Sequence, residues 1–265
     1  MSVEAHLQAL TGAFVLLLLV LTVWFAYLLA VCWQWWRRSG WRPWRLLSFS
    51  AGCALLVAAL APPVMSWGHA DLRGHMAQHL ALGMFAPIAL MLGKPVTLLL
   101  RSVPVGTARG ISMVLGSPAG RLLTHPVTAL LLDVGGLYLL YFTPLYLLSL
   151  TSPTVHVLLH LHFILAGYLF CWAIAGPDPA PRRAGLQIRL AALFLATAAH
   201  SILGKLMYGY GYPRGAGHEL AEIEAAAQLM YYGGNIAELT LALLFFTAWF
   251  RRDAQQKLTL AGTAG

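Results

Sequence analysis

Apolar residues run through this chain in blocks longer than a soluble core uses. Seven stretches, at about 12–36, 46–67, 74–93, 126–148, 154–175, 187–209 and 226–250, come close to the ~20 apolar residues with which an α-helix crosses a bilayer. The pattern predicts an all-α integral membrane protein, a seven-helix transmembrane bundle forming one domain over residues 1–265. The third stretch is the shortest and is interrupted by Pro87, which a membrane helix tolerates when neighbouring groups satisfy the freed carbonyl. The leading segment, Met1 to Gly12, carries Glu4 and no Lys or Arg. A signal peptide starts with positive charge, so the first run reads as a retained span.

Composition agrees with the pattern. Of the residues, 59% are hydrophobic and 10% charged, against ~25% charged in a soluble domain. So little charge cannot cover a globule of this size in water, and the solvent is the lipid bilayer. The net charge of +8 is read as orientation, and no nucleic-acid partner is expected. Fourteen of the seventeen basic residues fall in alternate connections: Arg37, Arg38, Arg42 and Arg45; Lys94, Arg101, Arg109 and Arg121; Arg182, Arg183 and Arg189; Arg251, Arg252 and Lys257. Basic loops stay in the cytoplasm, which predicts an outer amino terminus and a cytoplasmic carboxyl terminus. Trp33, Trp35, Trp36, Trp41 and Trp44 mark the first inner boundary as an aromatic belt. The long connection from Lys94 to His125 interleaves apolar residues with Arg and Gly, as short amphipathic helices at the interface do. Cys32, Cys53 and Cys171 form no CxxC and suggest no chemistry.

In this topology the histidines gather on one side. Nine of ten (His6, His69, His75, His79, His156, His160, His162, His200 and His218) lie outside or in the outer half of the membrane, with His125 alone at the inner boundary. His75/His79 and His156/His160 have HxxxH spacing, and residues four apart on a helix share a face. His79, His160 and His200 come to similar depth on three helices. Met65, Met76, Met207 and Met230 stand near the same helix ends, and imidazole with thioether suits copper, Cu(I) above all. The candidate ligands are therefore His75, His79, His156, His160 and His200, with Met76, Met207, Met230, Glu238 and Asp133 as accessories. A methionine near an interface is more often packing, and a lone histidine in a membrane helix more often bonds a neighbouring helix.

Two carboxylates lie within spans. Asp133 is expected to pair with a basic residue or accept a structural hydrogen bond. Glu238 stands beside Asn235, Gly233 and Gly234, where glycines permit close helix approach; it is read either as a protonated structural group or as part of a proton or cation path. The outer connection from Tyr208 to Gln228 carries Glu219, Glu222 and Glu224 and reads as a solvated acidic loop.

The stretch His75-Met76-Ala77-Gln78-His79-Leu80, running through Pro87 to Leu92-Gly93-Lys94-Pro95-Val96-Thr97, resembles the HMxQH…LGxPVTLLLR signature of the CtaG family of cytochrome oxidase assembly factors. Leu123-Thr124-His125-Pro126, the histidine-rich fifth span, His200, and Gln228 to Gly234 after the acidic loop are similar too, so the resemblance covers about 62–250. The family commonly has Asp-Gln where Glu222-Ile223 stands here, and Trp where Tyr231 stands. The resemblance implies a seven-helix protein of the bacterial inner membrane, not an enzyme but a metallochaperone-like factor. Its partner would be the catalytic subunit of cytochrome c oxidase and its part copper delivery; a homo-oligomer is compatible with this. Two other readings stay open. One is a b-type cytochrome, with haem b held axially by His79 and His160. The other is a seven-span zinc hydrolase, for which no span offers an Asp or Glu next to the HxxxH pairs.

The basic-residue asymmetry makes the first testable statement. Reporter fusions should show the amino terminus outside and the carboxyl terminus in the cytoplasm; equal activity of a cytoplasm-only reporter at both ends would break the topology.

Overall fold

The computed structural model describes residues 3–180 and 183–263, and every regular element among them is helical. Arg182 lies outside the described residues, as do the side chains of His6, Arg252 and Lys257. In chain order the helices are α1 (Val3–Trp36), α2 (Pro43–Leu60), α3 (Pro62–Ala70) and α4 (Leu72–Leu80), a π-helical turn (Ala81–Phe85), then α5 (Ala86–Leu92), α6 (Pro95–Ser102), α7 (Val105–Gly116) and α8 (Pro118–Leu123). They continue with α9 (Pro126–Phe142), α10 (Leu145–Thr151), α11 (Pro153–Ala175), α12 (Leu186–Tyr210) and α13 (Leu220–Thr263). Proline sets many of the starts: α2, α3, α6, α8, α9 and α11 each begin on one. Its fixed φ suits the first turn, where its missing N–H is not needed.

Among the described residues six stretches are long and apolar enough to cross a membrane: Phe14–Trp36, Pro43–Leu60, Leu72–Leu92, Pro153–Ala175, Leu186–Tyr210 and Leu220–Arg251. A seventh, α9 with α10, is bent by 79°, so the continuous fourth span expected over 126–148 is corrected to a broken one. Pro144 causes the break: the residue before a proline is pushed out of the helical region, and Thr143 is extended at φ −119°, ψ 171°. The second span is corrected in the same way. It ends at Leu60 rather than near 67, because Ala61 precedes Pro62 and is extended at ψ 144°. The chain then turns into α3. The last helix starts at Leu220, so Glu222 and Glu224 stand on its opening turns and not in a solvated loop; negative charge is favourable there.

The third span is the hub. Two-thirds of its residues (67%) are buried, against 22% in the first span, whose Phe14, Leu18, Leu19 and Phe25 face outward. It packs against α2, α3, α11 and α13. Pro87 has no N–H for the carbonyl of Gly83 four residues earlier, and the π-helical turn lies at this point. Gly167 of α11 sits directly on that Gly83 carbonyl, so close that a Cβ would collide with it and would also meet Pro87 Cγ at 3.1 Å.

The end of the bundle away from the histidines is tied together by hydrogen bonds. Tyr27 of α1 donates its hydroxyl to the Gly93 carbonyl (2.7 Å). Buried Asp178, after α11, accepts from the backbone N–H groups of Val96 (3.4 Å) and Thr97 (2.9 Å) and from the Thr97 hydroxyl. The Gly93–Thr97 motif is thus a tight turn whose following helix, α6, is capped from another loop.

The close contact at Gly167 can be tested directly. Gly167→Val should lower the thermal midpoint in detergent, at a cost of about 1–3 kcal/mol. Gly135→Ala, at a glycine with open space where its Cβ would lie, is the matched control. Equal midpoints for the two variants would contradict the packing described.

Candidate metal centre

The site begins where α4 begins. Asp71 caps this helix by accepting from the backbone N–H of Arg73 (2.8 Å), and the Arg73 side chain bonds both oxygens of its carboxylate. That guanidinium holds Asp71 below the usual carboxylate range. Glu222 of α13 reaches across to the same point. Its Oε1 accepts from the Leu72 N–H (2.5 Å) and lies 2.8 Å from His218 Nδ1, while His218 Nε2 lies 2.9 Å from the Tyr146 hydroxyl. One end of the bundle is thereby closed by α4, α10 and α13 around His218.

Behind this closure are the imidazoles. His75, His79, His156, His160 and His200 are each at most 5% exposed. They fall into two groups. In the first, the rings of His156 and His160 are 4.2 Å apart at 67°, and His69 of α3 lies 4.5 Å from His156. His75 stands between the groups, within electrostatic reach of His156 and of His79, and it sets its ring edge-on to Tyr146 at 5.2 Å. In the second group, one turn deeper along α4, His79 faces His200 of α12 at 6.4 Å and meets Phe163 at 5.0 Å. His160 thus faces His156 while His79 faces Phe163 and His200, so the two deeper members of the HxxxH pairs belong to different groups.

The second group has an acid beside it. Glu238 Oε1 of α13 is 3.7 Å from His200 Nδ1, too long for a hydrogen bond but close enough for a charge to be felt. Thr197 adds a hydroxyl next to the same carboxyl. Gly234 permits this approach: a Cβ there would run into the His200 ring. Asp133 and Glu238 both line a cavity of about 20 Å³, the space of one water molecule, together with Gly83, Gly167 and Cys171. Of the two roles expected for Asp133, pairing with a basic residue is not seen, since among the described residues no ion pair involves it.

Hydrogen bonding separates the histidines that hold the structure from those with ring atoms to spare. His218 is held at both nitrogens; His162 Nε2 bonds the Leu132 carbonyl (3.0 Å), His69 Nδ1 the Met65 carbonyl (2.7 Å), and His125 caps α9. By contrast, His75 Nε2, His156 Nε2, both nitrogens of His79, both of His200 and Oε2 of Glu238 are buried without a hydrogen-bond partner. Met76, Met207 and Met230 are fully buried in one apolar cluster with Leu72, Tyr141 and Leu203, and the Tyr141 hydroxyl lies 3.5 Å from the Met76 sulfur. The methionines pack. Among the described residues no three His, Cys, Asp or Glu side chains are arranged to hold one metal ion.

Two members of this constellation are not visible in helix register. His69 lies beyond the Pro62 break, on a helix the sequence pattern merges with the second span. Glu238 reaches His200 only through the packing of α13 on α12, so an acid does stand beside the imidazoles where the spans taken singly offer none.

A family model described as cytochrome c oxidase caa3 assembly factor matches residues 25–252, which include each of these side chains. Similar curated proteins, all uncharacterized, occur in mycobacteria. Those of Mycobacterium bovis and Mycobacterium tuberculosis are 34% identical over 235 residues, 82% of this chain and 36% of the relative. That of Mycobacterium leprae is 38% identical over 177 residues, 63% of this chain and 27% of the relative. The chain spans only about a third of the length of the first of these curated relatives, 36%. No solved structure matches it.

The Gly234–His200 contact supplies a test of the deeper group. Gly234→Ala should destabilise the protein by about 1–3 kcal/mol, because the ring is packed and has to shift. Adding His200→Ala should recover most of that loss, since it removes the colliding ring. Thermal midpoints of the three variants decide it; additive losses would mean that the glycine is needed for another reason.

Proposed function

Because the chain belongs to the family of cytochrome c oxidase caa3 assembly factors and is a multi-pass protein of the bacterial plasma membrane, we propose that it helps load copper into a haem–copper oxidase. Its cargo is Cu(I), taken up at the histidine end of the bundle and passed to the catalytic subunit. The basic-residue split argues that this end faces the non-cytoplasmic side. The ligands are His75, His79, His156 and His160, with His200 beside His79.

One observation carries this reading. Six imidazole nitrogens, on four buried histidines from three helices, have no hydrogen-bond partner. A buried polar atom left unpaired costs about 1–3 kcal/mol, and a soft cation bound by neutral imidazole offsets that cost at several atoms together. The division into two groups suits a carrier better than a permanent site. Ligands that sit on separate helices and do not form one closed shell can be exchanged singly, so the ion is released without all bonds breaking together. Glu238 beside His200 is the acid a zinc hydrolase would require, so the identity of the bound metal is part of the test.

Replacing His79 and His160 together by Leu removes one imidazole from each group. Apolar residues at these depths favour insertion, so the variant should reach the membrane at normal abundance. Host cells should then contain assembled oxidase with copper per haem reduced to well under half and activity reduced in parallel. Normal oxidase copper in that strain would sink the loading reading. Metal analysis and a visible spectrum of the purified protein separate the alternatives, with zinc favouring the hydrolase and a haem band the cytochrome.

A further inference from the structure

The opposite end of the bundle holds a second feature with ligand chemistry. Where α1 ends, the α6–α7 corner folds against it and leaves an open groove of about 770 Å³. Its charged lining is Arg37, Arg101 and Arg109, and Leu100, Val103, Val105 and Met113 supply the apolar wall. No acid lines it. The whole stretch from 72 to 132 contains neither Asp nor Glu, and none of the three arginines is ion-paired among the described residues.

The groove is held in shape. Buried Gln34 of α1 donates through Nε2 to the Arg101 carbonyl and the Ser102 hydroxyl, both at 3.2 Å, which fixes the carboxyl end of α6. Asp178 fixes its amino end at Thr97. Arg37 is steadied over the Trp33 ring at 4.7 Å. Holding three like charges around one groove without a counter-charge is unfavourable unless an anion sits among them. The level is that of lipid headgroups: Arg37 directly follows the first span, and exposed Trp33, Trp35 and Trp36 line the last turn before it. Val105 and Met113, 67% and 70% exposed, present apolar surface next to the guanidinium groups.

We propose that this groove is a binding site for an anionic phospholipid, with the phosphodiester on Arg37, Arg101 and Arg109 and acyl chains along Val105 and Met113. Planar guanidinium pairs with phosphate oxygens in two-pronged fashion, and the apolar wall distinguishes a lipid from a free phosphate. Such a lipid ties the α6–α7 corner to the inner leaflet, independently of any metal at the other end.

The test uses the full chain in an uncharged detergent, with lipid retention read by native mass spectrometry. Phosphatidylglycerol should be retained and phosphatidylcholine should not. Each arginine near an anionic surface is worth about fivefold in affinity, so Arg101→Gln with Arg109→Gln should weaken retention roughly thirtyfold. Met113→Glu, which sets a carboxylate on the lining and leaves the arginines alone, should also weaken it. Arg42→Gln with Arg121→Gln removes two basic residues outside the groove and should change little. Equal losses in the two double variants would overturn the site in favour of general surface charge. Equal retention of phosphatidylcholine, or displacement of phosphatidylglycerol by millimolar inorganic phosphate, would overturn it as well.

Discussion

The structure depends on keeping one polar helix out of hydrocarbon. In nine residues α4 carries His75, Gln78 and His79, and a lipid-facing surface offers none of them a partner. The bundle answers by enclosing α4 with α2, α3 and α13, and Phe163 of α11 meets His79. Gln78, 2% exposed, is satisfied within this enclosure by the Ala59 carbonyl (2.8 Å) and the Met65 sulfur (3.2 Å). The histidines are treated otherwise: they are buried equally well and left with free ring nitrogens. The same enclosure that protects the amide therefore creates the site.

Close approach is bought with glycine. Gly68 accommodates the Gln78 amide, Gly167 allows α11 onto the π-helical turn, and Gly234 admits the His200 ring. Between membrane helices there is little hydrophobic driving force, so tight contact of small residues carries more of the association. The π turn and Pro87 lie between the deeper histidine and the tied end, so a local departure from α-helix sits directly below the site. π-helical turns of this kind are frequent at functional positions.

The two ends of the bundle divide the chemistry. One end collects imidazole and carboxylate under a lid made by Glu222, His218 and Tyr146. The other collects arginine and tryptophan and is braced by Gln34, Tyr27 and Asp178. The family signature spans both, since its histidine half lies in the site and its Gly93–Thr97 half forms the brace. Its length reflects two separate physical jobs on one span.

Much of this was legible in the chain. Hydropathy located the membrane segments, because ~20 apolar residues in a row have few other uses, and HxxxH spacing located the two pairs, because residues four apart share a helix face. Spacing and depth single out His75, His79, His156, His160 and His200, and all five are buried. Other features were decided only by tertiary structure. The 79° bend at Pro144, the end of the second span at Leu60 and the helical start of α13 turn on backbone conformations that hydropathy does not register. The partition of the histidines into two groups, the arrival of Glu238 at His200 and the inclusion of His69 depend on which faces the helices turn to each other. Periodicity specifies a face on each helix; only packing decides which faces meet.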